Sequence, residues 1–508
     1  MTEVGRRPSA DAPREVEPRR SPIVASKQAA YALAAPESVI AIVGGILVVA
    51  VCLGIFLLAL VTDADTWVPI LLFFVLLTMT LPVCFWAAKG DKRLRRLIIV
   101  ALILKLLMAG PRYYMTEGIY GGQSDAGRYH QAGGMLVVNM KKGKFTIAGT
   151  DLDSFPRNTR VVGYITGILY LVFGTTYFGG FLIFSWIAWI GLLCFFRSFQ
   201  VAFPNAPPYL AAWLIFLLPS MLFWPSSTGK DALMVGLIGV FTLGASRVLS
   251  GSKTVIGILW MVLAGVAILN IRPHLLLISA LAMVVSLLAR PTGTVGRRGI
   301  AFPIIVLLLI VPVLISGLGR MDSVLGTTAG GTANLNDSLE STVTRTGIGG
   351  SAFAATPVRR PWDLPAATVT VIYRPFVFEA RSFAVLLSAA EGMLLIVLTI
   401  IAFRWIWNIF PVMYRSNFGA YCGGYIVGFV IAFSNISNAG ILSRQRVQLY
   451  PLLMILVAAA HDRYRLQQLE KAEEERAKLE ATLTANHAPE QGLLVADPAA
   501  PARGARAL

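Results

Sequence analysis

Apolar runs of about 20 residues, separated by short polar segments, recur along most of this chain. A run of that length crosses the hydrocarbon of a bilayer as one helix, because all of its backbone groups then bond within the helix. The pattern predicts an all-α, polytopic transmembrane bundle of about twelve spans, of which the third is interrupted by Lys105. The predicted spans are 39–62, 67–88, 97–114, 177–196, 208–224, 231–249, 254–271, 273–289, 300–318, 383–404, 417–435 and 445–461.

The two ends of the chain differ from this pattern. Residues 1–38 are rich in Pro, Arg and Ala without an apolar core, which predicts a disordered cytoplasmic tail rather than a signal peptide. Residues 462–508 predict a charged cytoplasmic helix, beginning at His461, and a disordered end. Between them, 39–461 form one transmembrane domain with two long outer loops, 115–158 and 319–382.

Basic residues fix the predicted orientation. They concentrate in alternate short loops, and placing those loops inside follows the positive-inside rule and leaves both termini in the cytoplasm of a plasma-membrane protein. The apolar stretch Val161 to Gly174 is about 14 residues long, so we interpret it as a re-entrant or interfacial helix on the outer side. The formal net charge of +17 is then mostly cytoplasmic, and no nucleic-acid partner is expected.

The first outer loop contains the polar segment from Ser124 to Gln131. Gly121 and Gly122 break the chain, Ser124 can cap a helix, and Asp125 then lies in its first turn. Asp125, Arg128 and Tyr129 share one helical face, so a carboxylate there could act as general base towards a hydroxyl. The alternative is an ordinary acid at a helix N-terminus.

Further charged residues fall on the same predicted face. Lys230 and Asp231 follow a Pro-containing turn, where a cation could meet a lipid phosphate or simply snorkel to the interface. Arginines hold phosphate oxygens bidentately, and short outer loops normally avoid them; structural ion pairing is the alternative. The candidate site comprises Asp125, Tyr129 and Asp231 as catalytic residues and Arg128, His130, Lys230, Arg272, His274, Arg374, Glu379, Arg381, Arg444 and Arg446 as substrate-binding residues.

The order of these features resembles the GT-C superfamily of integral-membrane glycosyltransferases, in particular the polyprenyl-phosphate-sugar dependent branch related to protein mannosyltransferases. The resemblance is carried by Asp125-x-x-x-Tyr129, Gly143-Lys144-Phe145, Phe173-Gly174, Arg197 and Lys230-Asp231. It implies that Asp125 is the catalytic carboxylate of the first large outer loop and that Asp231 belongs to a second acidic motif. It also implies that basic residues bind the lipid phosphate. The chain differs in having Asp125 after the third span, without an adjacent second acid.

Together these features predict transfer of a sugar from polyprenyl phosphate to an extracytoplasmic glycan, lipid or protein. An O-antigen-like polysaccharide polymerase is one alternative, and a lipid-glycan flippase or transporter is the other, although transporters usually carry ionisable residues at mid-bilayer. Only Lys105 and Glu391 lie well within predicted spans. No cofactor is expected beyond the lipid-linked donor. The sequence leaves a divalent-metal requirement open, since Mg²⁺ or Mn²⁺ favours clustered carboxylates.

Overall fold

The computed structural model describes residues 50–51, 53–122, 124–146, 157–289 and 352–486. The predicted tail 1–38, the predicted span 300–318 and most of the outer loop before residue 352 lie outside these ranges. The chain divides into two units, residues 1–71 and 72–508. The described part of the first unit is helical between 53 and 61 and again from Ala64. All of the packing described below belongs to the second unit.

The described residues form helices and connecting turns, without a β-sheet. Eighteen α-helices are numbered in chain order; a π-helix, Met115–Ile119, follows α3. The helices are α1 Ala64–Ala88, α2 Lys92–Leu107, α3 Ala109–Tyr114, α4 Asp125–Lys141, α5 Arg157–Phe173, α6 Tyr177–Ala202, α7 Pro208–Leu217, α8 Pro219–Phe223, α9 Lys230–Ser250, α10 Thr254–Ile271, α11 Pro273–Leu288, α12 Leu364–Tyr373, α13 Phe383–Ile401, α14 Phe403–Ile406, α15 Ile409–Arg415, α16 Asn417–Phe433, α17 Ala439–Gln445 and α18 Tyr450–Asn486.

Four of the described helices are long and apolar enough to cross a membrane: α1, α6, α9 and α10. A fifth span results if the segment Val385–Ile401 and the segment Phe403–Arg415, which meet at an angle of 76°, count as one broken helix. Shorter apolar helices lie in three of the other predicted spans: α7, α11 and α16. The fold therefore agrees with a helical membrane bundle, while the number of twelve spans stays a prediction.

Helices α6 and α9 form the central pair of the bundle. A Cβ atom on Gly191 of α6 would lie 2.3 Å from the Val235 carbonyl oxygen, and a Cβ atom on Gly239 of α9 would lie 2.3 Å from the Gly191 carbonyl oxygen. Only glycine permits such backbone contact, which is how apolar helices associate closely in lipid. Gly244 makes the same kind of approach to Gly257 of α10.

The predicted helix in the first outer loop is α4, and it begins at Asp125 as expected. Gly121 and Gly122 adopt φ values of 60° and 72°, the left-handed region that favours glycine. Ser124 stands at the N-cap, but its side chain makes no capping hydrogen bond. Helix α4 packs against α5, which contains the short apolar stretch, and Gly133 lies so close to Thr166 that a Cβ atom would be 2.7 Å from its methyl group.

The predicted span 208–224 is broken. Helix α7 ends at Leu217, Leu218 is extended with ψ of 127°, and the five-residue α8 follows. Pro219 explains the break, because a residue before proline is sterically disfavoured from helical geometry and proline has no N–H to donate. The interrupted third span is likewise divided, into α2 and α3.

Two other regions differ from the sequence interpretation. The last span and the charged helix predicted to begin at His461 are one continuous helix, α18, of 37 residues. In the outer loop predicted for 319–382, the described part contains α12, whose Ala367 and Val371 are fully buried. Helix α12 is thus packed into the core rather than lying in an outer loop.

Candidate functional site

A polar cavity of about 260 Å³ opens where the ends of several helices meet. The segment from α3 through the π-helix, the first turn of α4, the turn before α9, the α10–α11 turn and α17 all contribute side chains. Four basic and two acidic residues face this space. The lining residues are Arg112, Thr116, Tyr120, Ser124, Asp125, Ala126, Tyr129, Ser227, Thr228, Gly229, Lys230, Asp231, Arg272 and Arg444.

Arg112 is the most unusual of these residues. Its side chain is buried, with 7% of the residue exposed, yet its Nε and Nη1 groups have no hydrogen-bond partner. The guanidinium carbon lies 5.2 Å from the ring centre of Trp224 and 5.6 Å from that of Phe223, so aromatic faces support it on one side. Unpaired buried donors of this kind have a high affinity for an anion.

Asp231, at the first turn of α9, binds two arginines rather than facing the cavity alone. Its Oδ1 accepts a hydrogen bond of 2.8 Å from Arg272 Nη2, and its Oδ2 accepts one of 3.2 Å from Arg444 Nε. The Asp231 side chain is only 7% exposed. The charge of Asp231, followed by that of Asp125, raises the pKa of Arg444. Asp231 is therefore placed to hold the two arginines, and less well placed to accept a proton from a substrate.

Lys230 and Tyr129 both contact Thr159, which lies in the first turn of α5. The Lys230 ammonium donates a hydrogen bond of 3.3 Å to Thr159 Oγ1, and the Tyr129 hydroxyl also hydrogen-bonds to Thr159. Burial, and then the charge of Asp125, raise the pKa of Tyr129, so its phenol stays neutral at physiological pH. Tyr129 is 3% exposed and forms part of the cavity wall.

Asp125 is the second carboxylate of the cavity, and unlike Asp231 it is exposed. It lies within the electrostatic field of Lys230 and Arg444. A solvent-accessible carboxylate can accept a proton from a substrate hydroxyl within hydrogen-bond reach. Of the two predicted catalytic aspartates, Asp125 thus has surroundings that suit a general base better than those of Asp231.

Seven predicted site residues lie away from the cavity; one of them, Arg446, is described in the next paragraph. His130 Nδ1 is 2.9 Å from the Tyr170 hydroxyl. The imidazole of His274 packs against Phe433. Arg374 forms an ion pair with Glu379 and stacks on Phe353. The remaining two, Arg128 and Arg381, are exposed outside the cavity lining.

Arg446 is separated from Arg444, although the sequence suggested that the two bind phosphate as a pair. Its guanidinium is fully buried and donates to the carbonyl oxygens of Ile372, Arg374 and Ser388. It also lies 3.6 Å from Glu391. The reason is local geometry: Arg444 lies in the last turn of α17, whereas Arg446 begins a 3₁₀ turn that directs it into the bundle.

The structure adds lining residues that sequence reasoning did not select, namely Arg112, Thr116, Tyr120, Ser227 and Thr228. Arg112 was concealed inside a predicted span, although an arginine directly after Gly110-Pro111 near a span end is a detectable signal. Hydroxyl residues at a turn carry no such signal. The Thr228 hydroxyl is buried and has no hydrogen-bond partner, like the two Arg112 groups.

Chemically, the cavity can bind a phosphate-bearing group on buried cations and hydroxyls and present a carboxylate to it. Within the described ranges, no three His, Cys, Asp or Glu side chains come together as metal ligands, and a metal requirement stays open.

Comparison of the chain with models of protein families, with curated proteins and with solved structures gives no match.

Proposed function

We propose that the protein is a membrane transferase that moves a sugar from a polyprenyl-phosphate donor to an extracytoplasmic glycan, lipid or protein acceptor. The observation that carries this proposal is Arg112, whose two unpartnered buried N–H groups line a cavity with three further basic side chains. A buried unpaired guanidinium costs stability in the empty protein. A bound phosphate, which accepts bidentate hydrogen bonds, would remove that cost.

In this mechanism Asp125 takes the proton from the acceptor hydroxyl. The acceptor oxygen forms a bond to the anomeric carbon of the sugar, while the bond from that carbon to the phosphate oxygen breaks. The electron pair of the broken bond leaves with the lipid phosphate, whose added negative charge Arg112, Lys230, Arg272 and Arg444 stabilise. A single displacement of this kind inverts the anomeric centre. Asp231 acts through the two arginines that it holds.

The proposed topology places the cavity at the outer face and both termini in the cytoplasm, with about twelve spans in a bacterial plasma membrane. Helices α6 and α9 support this arrangement. The cavity lies at the end where α9 begins with Lys230, whereas Arg197 lies near the C-terminal end of α6 and Arg247 lies in the last turn of α9. Each of these arginines stacks on a tryptophan, Trp86 and Trp260 respectively, as is usual at a bilayer interface.

Nucleotide sugars are cytoplasmic, so a transferase that works outside needs a donor carried on a lipid. The cavity volume of about 260 Å³ is at the lower limit of small-molecule sites, which favours a single head group over an oligosaccharide. The charge balance favours a second candidate, a polysaccharide polymerase that releases a lipid diphosphate, because four basic and two acidic side chains leave an excess of two positive charges.

The experiment that tests the proposal uses purified protein in lipid bilayers with radiolabelled polyprenyl-phosphate sugars. Wild type is expected to release polyprenyl phosphate, and Asp125→Asn is expected to release none while retaining its fold. In a parallel reaction the donor is a lipid-diphosphate-linked oligosaccharide. Turnover of the second donor alone would replace the proposal with the polymerase, and turnover of neither by folded protein would reject both.

A further inference from the structure

The two charged residues that lie well within predicted spans, Lys105 and Glu391, bind the same short helix. Lys105 of α2 is fully buried and Glu391 of α13 is 4% exposed. Charges inside a membrane bundle are costly and usually mark a substrate pathway or a functional site. Here they contact neither the cavity nor each other. Both instead contact α8, the five-residue helix Pro219–Phe223.

Glu391 binds the beginning of α8. Its Oε1 accepts a hydrogen bond of 2.8 Å from the Ser220 N–H, and its Oε2 accepts one from the Ser220 hydroxyl. The first N–H groups of a helix lack partners within the helix, and a carboxylate at that end also interacts favourably with the helix dipole. Arg446, 3.6 Å away, compensates the buried charge of Glu391.

Lys105 binds the other end. Its ammonium donates hydrogen bonds of 2.7 Å to the Met221 carbonyl oxygen and 3.0 Å to the Leu222 carbonyl oxygen. Carbonyls near the C-terminal end of a helix lack partners within the helix, so a cation satisfies them. A carboxylate therefore binds the N-terminal end of α8, and the Lys105 Nζ group binds its C-terminal end.

The same contacts extend to the turn that follows α8. Ser185 of α6 donates to the backbone carbonyl of Lys105 at 2.6 Å and lies 3.1 Å from the Ser226 hydroxyl. Ser226 in turn donates to the Leu222 carbonyl oxygen at 2.6 Å. The next residues, Ser227 to Asp231, line the cavity. The position of this cavity wall is thus set by α8 and by the residues that hold α8.

We propose that Lys105 and Glu391 are positioning residues, which fix α8 by hydrogen bonds at its two ends and thereby hold the segment 224–231 in its ligand-binding geometry. The inference rests on the proposed function for the role of that segment, but the positioning itself is independent of it. Catalytic groups tolerate little displacement, since a shift of about 1 Å can cost roughly a hundredfold in rate.

The test is hydrogen exchange of the full chain in nanodiscs, combined with binding of inorganic phosphate. In Lys105→Met the amides of Trp224 and Ser226, which bond to Ser220 and Phe223 within and just after α8, are expected to exchange about tenfold faster. Phosphate affinity is expected to fall about tenfold as well. Ile238→Ala, at a fully buried position of α9, is the control, because it lowers stability and leaves the hydrogen bonds of Lys105 and Glu391 to α8 in place.

Equal exchange at Trp224 and Ser226 in Lys105→Met and Ile238→Ala, at matched thermal stability, would overturn the inference. If Lys105→Met does not fold, Ser220→Ala serves instead, because it removes one hydrogen bond to Glu391 and keeps the backbone bond; exchange about fivefold faster is expected. If phosphate does not bind wild type, the proposed function loses support, whereas the exchange measurement still decides on the positioning.

Discussion

Two buried arginines illustrate how differently the same side chain is used in this protein. Arg446 is fully buried; its two Nη groups donate to three carbonyl oxygens and lie near Glu391, and its Nε has no hydrogen-bond partner. Arg112 is nearly as buried, but two of its N–H groups have no partner. The first arginine holds helices together, whereas the second is incomplete without a ligand. Burial alone therefore does not distinguish these two arginines; they differ in that Arg446 donates three hydrogen bonds within the protein, whereas the Nε and Nη1 groups of Arg112 donate none.

Replacement of Arg112 by methionine is expected to stabilise the empty protein and to impair its reaction. Removal of the unsatisfied buried charge should raise the free energy of unfolding by about 1 kcal/mol, while loss of charge-assisted hydrogen bonds should raise the donor KM about 10- to 100-fold. Thermal denaturation in nanodiscs and steady-state kinetics measure the two effects. Arg446→Met is the control and should lose about 3–5 kcal/mol of stability. A destabilised Arg112→Met would contradict the ligand-binding role.

The carboxylate of Asp125 is expected to be essential for transfer. Asp125→Asn keeps the shape and removes the proton acceptor, so turnover should fall by a factor of about 10² to 10⁴ without a change in melting temperature. Asp65→Asn changes an equally exposed acid at the start of α1 and should leave turnover unchanged. Turnover of Asp125→Asn within a few-fold of wild type would remove Asp125 from the mechanism.

Asp231 is expected to act on stability as well as on turnover. Asp231→Asn leaves Arg272 and Arg444 without their common counter-ion, and breaking a buried pair in this way costs about 3–5 kcal/mol. Chemical denaturation should show that loss, and the double variant Asp231→Asn with Arg272→Gln should recover part of it. If the free energy of unfolding of the single variant equals that of wild type, the ion pairs of Asp231 with the two arginines do not stabilise the fold.

At the scale of elements, glycine contacts between helices decide the packing. Gly239→Ala would place a methyl group 2.3 Å from the Gly191 carbonyl oxygen and force α6 and α9 apart. We expect a loss of about 1–3 kcal/mol, in the range for overpacked sites. Gly110→Ala, with no atom within 4 Å of the added Cβ, is the matched control and should be neutral. Equal melting temperatures for the two variants would show that α6 and α9 adjust without cost.

The sequence was sufficient to predict helices and the approximate position of most described spans, because hydrophobic runs set them directly. It also placed the start of α4 at Asp125, since Gly121, Gly122 and Ser124 are local signals. It did not place the break at Leu218 or the continuity of α18, which depend on Pro219 and on helix propensity across a change of polarity. The sequence also predicted Arg446 as a cavity residue and did not select Arg112, because the residues that surround each of these arginines are distant in sequence.

At the scale of the whole molecule, the proposed orientation makes a direct prediction. In intact cells, Ser227→Cys should react with a membrane-impermeant thiol reagent, since Ser227 lines the cavity assigned to the outer face. Ser252→Cys, in the turn between α9 and α10, should react only after the membrane is permeabilised. Cys84 and Cys422 are buried and should contribute little background. Reaction of both variants from outside would exclude the topology.

Helix α18 has a consequence for the mechanics of the protein. Its 37 residues form an uninterrupted rod of about 55 Å, apolar and buried in its first turns and exposed from Leu466 onward. A rod of this kind transmits displacement along its axis and bends little. Its first residue follows the 3₁₀ turn at Arg446, which in turn follows Arg444 at the cavity. A molecule that binds the exposed end of α18 and displaces it would therefore also displace the opposite end of the helix, which is close in sequence to the cavity residue Arg444.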